Sequence, residues 1–168
     1  MAISPDGTVV AICGGPWPNP LTMHLFRRTG GRFDRRGLVE IPNGKPAIAV
    51  AFSNDSSSVA VSDFDGYVRI WDLESNDWRA VYHSERGCHA VAYSPDDRLL
   101  AIGSHDKIVF CSVATGDIPG RIPTPTSVTS LQFAPDGKTL AWGGGQRRVE
   151  FLKTAPVEGP APIVSAAR

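Results

Sequence analysis

Ser104, His105 and Asp106 stand side by side in the chain, the three residue types of a nucleophile, a base and an orienting acid. That chemistry needs side chains that converge within hydrogen-bond reach. Neighbours at a strand end point in alternating directions, so the trio reads as a tight turn between strands. Four aspartates, Asp6, Asp55, Asp96 and Asp136, invite a paired-acid reading, but each sits inside a recurring turn motif and reads as a turn residue. His89 follows Cys88 with no acidic neighbour at ligand spacing, which leaves a metal site without support. The three cysteines, Cys13, Cys88 and Cys111, are an odd number without CxxC spacing, so neither a disulfide framework nor a zinc site is expected. No catalytic residue, metal or cofactor is expected, and the chain reads as a non-enzyme.

Binding chemistry has more to offer. Arg27, Arg28, Arg32, Arg35 and Arg36 form a basic cluster around Phe26 and Phe33, interrupted only by Asp34. Read as a loop, it is a candidate patch for an acidic partner. The formal net charge of the chain is zero, which disfavours nucleic acid as the partner. Trp17 lies between two prolines in PWPNP at 16–20, and a rigid aromatic is the residue type that most often anchors an interface.

These residues are positioned by a repeat. SPDG at 4–7 returns as SNDS at 53–56, SPDD at 94–97 and APDG at 134–137, in steps of 49, 41 and 40 residues. An apolar marker moves with it, read at Met23, Val68, Val109 and Val149. A period near 40 made of short β-rich segments is the mark of propeller blades. The first unit is longer: Ala11 to Met23 spans 12 residues, against 8 from Ala60 to Val68. The excess falls around 15–20 and in RRTGGRFDRRG after Phe26, and insertions in repeats map to loops.

Within a unit, AIAVAFS at 47–53 alternates, with Ile48, Val50 and Phe52 on one face and alanines on the other. CHAVAYS at 88–94 repeats it, which places His89 with Ile48 and Thr129 as a packing residue. Strands are predicted at 47–53, 57–62, 67–72, 88–94, 98–104, 108–113, 127–133, 138–143 and 148–152, with shorter fourth strands at 37–41, 78–82 and 120–123. No helical periodicity intervenes. Pro at the second turn position and Gly at the last, as in Gly7 and Gly137, suit a type I turn.

VAVSDFDGYVRIWD at 59–72 resembles the core of a WD40 repeat, ending in Trp71-Asp72, and the segments at 100–116 and 140–153 are similar. The resemblance implies an all-β propeller of about four four-stranded antiparallel blades, near 1–42, 43–83, 84–123 and 124–155, a partial or half ring. A Pro/Ala-rich tail at 156–168 is a candidate closing outer strand. Phe26, Ser112 and Leu152 stand where Trp71 does, Gln146 replaces the turn aspartates Asp65 and Asp106, and the Gly-His pair before the first strand is absent. The family's His–Asp–Ser–Trp network is therefore incomplete in every blade.

What the resemblance implies about function is an interaction scaffold that binds a protein partner through loops on one rim. Those loops join second and third strands, led by Trp17 and Asn19, with Phe64, His105 and Arg147 as equivalents. The alternative is a fragment or regulatory propeller portion of a larger protein whose catalytic domain lies elsewhere. About four blades leave three closures: a homodimer forming an eight-bladed ring, a four-bladed disc, or a piece of a longer propeller, which the short start Ala2-Ile3-Ser4 favours. The longest apolar run, Ala47 to Phe52, is far short of a membrane span, and the N-terminus opens into a turn without a signal sequence. A cytoplasmic setting is the expectation.

Overall fold

The computed structural model describes residues 1–13, 22–42, 45–145 and 149–154, and every described element is a β-strand. The first sheet runs in order β1 (Ala2–Ile3), β2 (Val9–Cys13), β3 (Thr22–Thr29) and β4 (Arg32–Glu40). The second holds β5 (Ala47–Phe52), β6 (Ser58–Asp63), β7 (Tyr67–Asp72) and β8 (Asp77–His83). The third holds β9 (Cys88–Tyr93), β10 (Leu99–Ser104), β11 (Lys107–Ser112) and β12 (Gly120–Pro123). The fourth has three described strands, β13 (Val128–Phe133), β14 (Thr139–Gly144) and β15 (Val149–Lys153). All pairings are antiparallel between sequence neighbours, the meander expected of blades. The candidate closing strand in the tail at 156–168 lies outside the described residues.

The repeated turn explains the repeat. In the first three sheets a serine hydroxyl donates to the aspartate two residues on: Ser4 to Asp6 and Ser94 to Asp96 at 2.5 Å, Ser53 to Asp55 at 2.6 Å. The aspartate also accepts a backbone N–H two residues further, from Thr8, Ser57, Arg98 and, in the fourth sheet, Lys138. Position four of each turn is left-handed, with φ of 69° at Gly7, 63° at Ser56, 57° at Asp97 and 68° at Gly137. Glycine adopts this at no steric cost, whereas Asp and Ser there need hydrogen bonds to repay the strain.

Three apolar clusters lie between successive sheets. Ala11, Met23 and Leu25 of the first face Phe52, Val59, Val61 and Trp71 of the second. Ala60, Val68 and Ile70 face Tyr93, Leu100, Ile102 and Cys111. Ala101, Ile108 and Phe110 face Phe133, Leu140, Trp142 and Leu152. Side chains of facing sheets thus interdigitate in three buried apolar layers. Val149 and Phe151, at the forward positions of the fourth sheet, are 62% and 71% exposed.

Register corrects the alignment of the third unit. Val59 pairs with Trp71 and Leu100 with Cys111, so Cys111, not Ser112, occupies the tryptophan position. Likewise Ile108, not Val109, is the counterpart of Val68, because the hairpin between β10 and β11 is one residue shorter. Counting a constant step of 8 placed every residue of β11 one position late.

A second correction concerns Ile48, His89 and Thr129. Pairing skips each of them, from Ala47 to Ala49, Cys88 to Ala90 and Val128 to Ser130. All three are bulge residues, so Ile48 is removed from the face of Val50 and Phe52 and is 37% exposed. The repeat was legible here, but the bulge was not, because an inserted residue preserves the letters while breaking the period.

Candidate interaction surfaces

The antiparallel order puts the connections on two opposite rims. Turns from first to second strand and from third to fourth share one rim. Turns from second to third strand share the other with the links between blades. The four inner strands line a groove of about 370 Å³, bounded by Ile3, Val50, Phe52, Val91 and Leu131 among others.

Phe64 stands on the second rim, 68% exposed, and the chain around it is held tightly. Asp63 and Arg69 form a salt bridge, with side chains 1% and 5% exposed. Asp63 also accepts the Tyr67 N–H at 2.9 Å, and the Arg69 guanidinium lies 4.4 Å from the centre of the Tyr67 ring. The Phe64 N–H donates to the Pro46 carbonyl at 2.9 Å. Gly66, at φ 86°, passes so close to the next inter-blade link that an added Cβ would sit 1.8 Å from the Ser84 carbonyl oxygen. A buried ion pair and a close backbone crossing therefore fix the hairpin that presents the aromatic. Asp63 and Arg69 were missed in the sequence, although an Asp and an Arg six positions apart across a tight hairpin were the available signal.

His105 is exposed on the same rim. Its Nδ1 is hydrogen-bonded to the Ser127 hydroxyl, and its ring meets that of His89 edge-on, centroids 6.4 Å apart. Gly87 links the two stations: a Cβ there would lie 3.8 Å from the Phe64 carbonyl oxygen and 3.4 Å from the His89 ring. Ion pairs between Arg86 and Asp106 at 3.0 Å and between Lys45 and Asp65 at 3.7 Å border the line. Both are exposed, and such pairs contribute little to stability. Phe64 and His105 are thus brought onto one rim, while Trp17, Asn19 and Arg147 lie outside the described residues.

Ser104, His105 and Asp106 do not converge. Ser104 points to the Lys107 carbonyl at 3.3 Å, and His105 points away to Ser127. Burial pushes the thiols of Cys13 and Cys111 up to about 11 and that of Cys88 up to about 12, which keeps them protonated and weakly nucleophilic at neutral pH. Among the described residues no cluster of three or more His, Cys, Asp or Glu side chains is placed to hold a metal.

Residues 42–72 and 80–111 match the family model of the WD domain, G-beta repeat. The chain carries WD40 repeats. Protein SPA1-RELATED 3 of Arabidopsis thaliana is 35% identical over 99 residues, covering 56% of this chain and 12% of that protein. Telomerase protein component 1 of Rattus norvegicus is 29% identical across 98% of this chain but 6% of its own length. Protein NEDD1 of Homo sapiens is 27% identical across 64% of this chain and 17% of its own. The chain therefore spans a small part of each of these relatives.

In the second blade the WD40 hydrogen-bond network is incomplete. The Trp71 indole N–H and the Ser62 hydroxyl are buried and find no hydrogen-bond partner among the described residues. Trp71 is held instead by packing, edge-on to Trp78 with centroids 5.0 Å apart, and Trp78 donates to the Glu40 carbonyl of the preceding blade at 2.9 Å.

The basic cluster occupies the opposite rim and is no loop. β3 and β4 extend past the body of the blade as a continuous hairpin, with Arg27 paired with Asp34, Arg28 with Phe33 and Thr29 with Arg32. The turn residues Gly30 and Gly31, at φ 58° and 86°, allow two strands to continue where the composition suggested a break. Among the described residues no helix is long and apolar enough to cross a membrane.

Proposed function

We propose that this chain is a non-catalytic protein-interaction scaffold whose contact surface is the rim carrying Phe64 and His105. The observation that supports the reading is a large exposed aromatic on a rigid hairpin: Phe64 leaves 68% of its surface open, while Asp63, Arg69 and Gly66 hold its backbone in place. An exposed aromatic presented at low entropic cost is the usual anchor of an interface. Trp17 and Asn19 belong to the corresponding connection in the first blade, and Arg147 to that in the fourth. The three free thiols suit a reducing, cytoplasmic setting. Quantitative partner capture from extract tests this. Phe64→Ala and Trp17→Ala should each lower recovery about tenfold while the melting temperature stays level. Recovery unchanged in both variants would sink the rim as the contact surface.

A second reading rests on proportion. The relatives are longer than the match by severalfold or more, so we also propose the chain as the propeller portion of a larger polypeptide, with any catalytic part elsewhere. The mass of the product detected in cells by an antibody against this segment separates the two.

A further inference from the structure

We propose that the β3–β4 hairpin is a second docking site, which takes a short acidic peptide as an added strand along the free edge of β4. Residues 27–36 form an unbroken exposed run, and β4 ends its sheet, so its outer edge has no strand partner among the described residues. A free edge offers backbone donors and acceptors to an incoming strand. Among the described residues no side-chain hydrogen bond or ion pair engages the guanidinium of Arg27, Arg28, Arg32, Arg35 or Arg36, so their donors are available to a ligand.

Register sorts the hairpin into two faces. Phe26, Arg28, Phe33 and Arg35 share one, and Arg27, Thr29, Arg32 and Asp34 share the other. The first carries no acid. Side chains two apart on a strand are separated by about 7 Å, so carboxylates at alternate positions of an extended peptide fall in step with the β4 side chains. Arg35 and Arg32 would meet them from the two faces, with Arg36 at the bulge beside them and Arg27 and Arg28 adding to the field from β3. Phe33, 43% exposed beside Arg35, offers apolar surface to an intervening residue.

Charge distribution decides the class of partner. Five arginines less Asp34 give the hairpin +4, and since the chain totals zero, the remainder carries −4. The same rim in the next three blades stays net acidic: Asp55, Asp72, Asp96, Asp97, Asp117 and Asp136 outnumber Arg98 and Lys138 on the same turns. A long polyanion leaving the hairpin would run onto these carboxylates, whereas a short acidic segment would not. The site is separate from the Phe64 rim, so either proposal can fail alone.

The test is fluorescence anisotropy with a labelled peptide of alternating Glu and Val, at low and at physiological salt. Its controls are the Gln-for-Glu peptide, a peptide of equal charge with proline at alternate positions, and a single-stranded oligonucleotide of equal charge. The Glu peptide should bind about tenfold or more tightly than all three, weakening with salt. The variant Arg32→Gln/Arg35→Gln/Arg36→Gln should lose about tenfold with an unchanged melting curve. Arg35→Glu alone serves if the triple variant misfolds, and should show a loss in the same direction. Equal binding of the proline peptide would remove strand addition, and tighter binding of the oligonucleotide would make this a nucleic-acid surface. No measurable binding, or full binding by the variants, would overturn the proposal outright.

Discussion

The Asp97 carboxylate lies 2.7 Å from the backbone nitrogen of Asn54, and the two residues belong to neighbouring blades. The same carboxylate accepts the Asn54 side-chain amide at 2.8 Å and the Asp55 N–H at 2.9 Å. One side chain thus caps the exposed turn of the preceding blade. Ser56 does the same more weakly one step earlier, accepting the Asp6 N–H at 3.2 Å, while Gly137 at the same position of the fourth blade has no side chain to offer an acceptor. The repeated turns are therefore the stitches between blades as well as connections within them.

Asp97→Ala should cost about 2–3 kcal/mol, because it deletes a charged acceptor of three hydrogen bonds and leaves alanine at φ 57°. Asp97→Gly should cost less, since it relieves the backbone while losing the same bonds. Urea denaturation compares the two. Equal stability of the alanine variant and the parent would show that the inter-blade bonds are neutral.

The glycines separate fold requirement from turn preference. Gly66→Ala combines φ 86° with a Cβ that would sit 1.8 Å from the Ser84 carbonyl oxygen, so the Phe64 hairpin must move. A loss of about 3 kcal/mol or more is expected. Gly30→Ala has φ 58° but open space around the new Cβ, and should cost about 1 kcal/mol. Thermal melts of both variants check the order, and a reversed order would contradict the close crossing at Ser84.

Acid sensitivity should track the turn aspartates. The Ser53 hydroxyl, then the Ser57 N–H, holds the Asp55 carboxyl below its ordinary 3.8, and Ser4 and Thr8 do the same for Asp6. A carboxylate whose folded pKa is depressed stabilises the fold above its unfolded pKa, and the contribution fades as pH falls through the folded value. The loss therefore belongs below pH 3.8. Ser53→Ala removes the first of these partners, and also the acceptor of the Ser58 N–H. The variant should be less stable than the parent at neutral pH, with the gap narrowing in acid. A gap independent of pH would mean that the Ser53–Asp55 bond carries no linkage.

Blade order and most strand positions were legible because turn chemistry is local: a serine, an aspartate and a left-handed residue sit within four positions of one another. The bulges at Ile48, His89 and Thr129 were not, since they answer to register against a neighbouring strand. The basic hairpin was misread for the opposite reason. Arginine and glycine look like loop composition, yet a two-strand ribbon needs only cross-strand pairing and a turn at Gly30-Gly31. Phe64 and His105 were placed on one rim by the repeat itself, whereas the buried pair beneath Phe64 breaks the repeat and so had no counterpart to reveal it.

That pair supplies a test of its own. The register that aligns Val61 with Arg69 aligns Ile102 with Val109, and Ser104 stands in the third blade where Asp63 stands in the second. The third blade is buried at both positions without any ion pair. Arg69→Val alone should cost about 3–5 kcal/mol, because it leaves the Asp63 carboxylate buried and without its cation. Asp63→Ser alone strands Arg69 in the same way. The double variant Asp63→Ser/Arg69→Val installs the third blade's own solution and should be more stable than either single change, with a coupling above about 1 kcal/mol. Denaturation midpoints of the four proteins close the cycle. A double variant as unstable as the two losses added together would mean that the ion pair is not what holds the Phe64 hairpin.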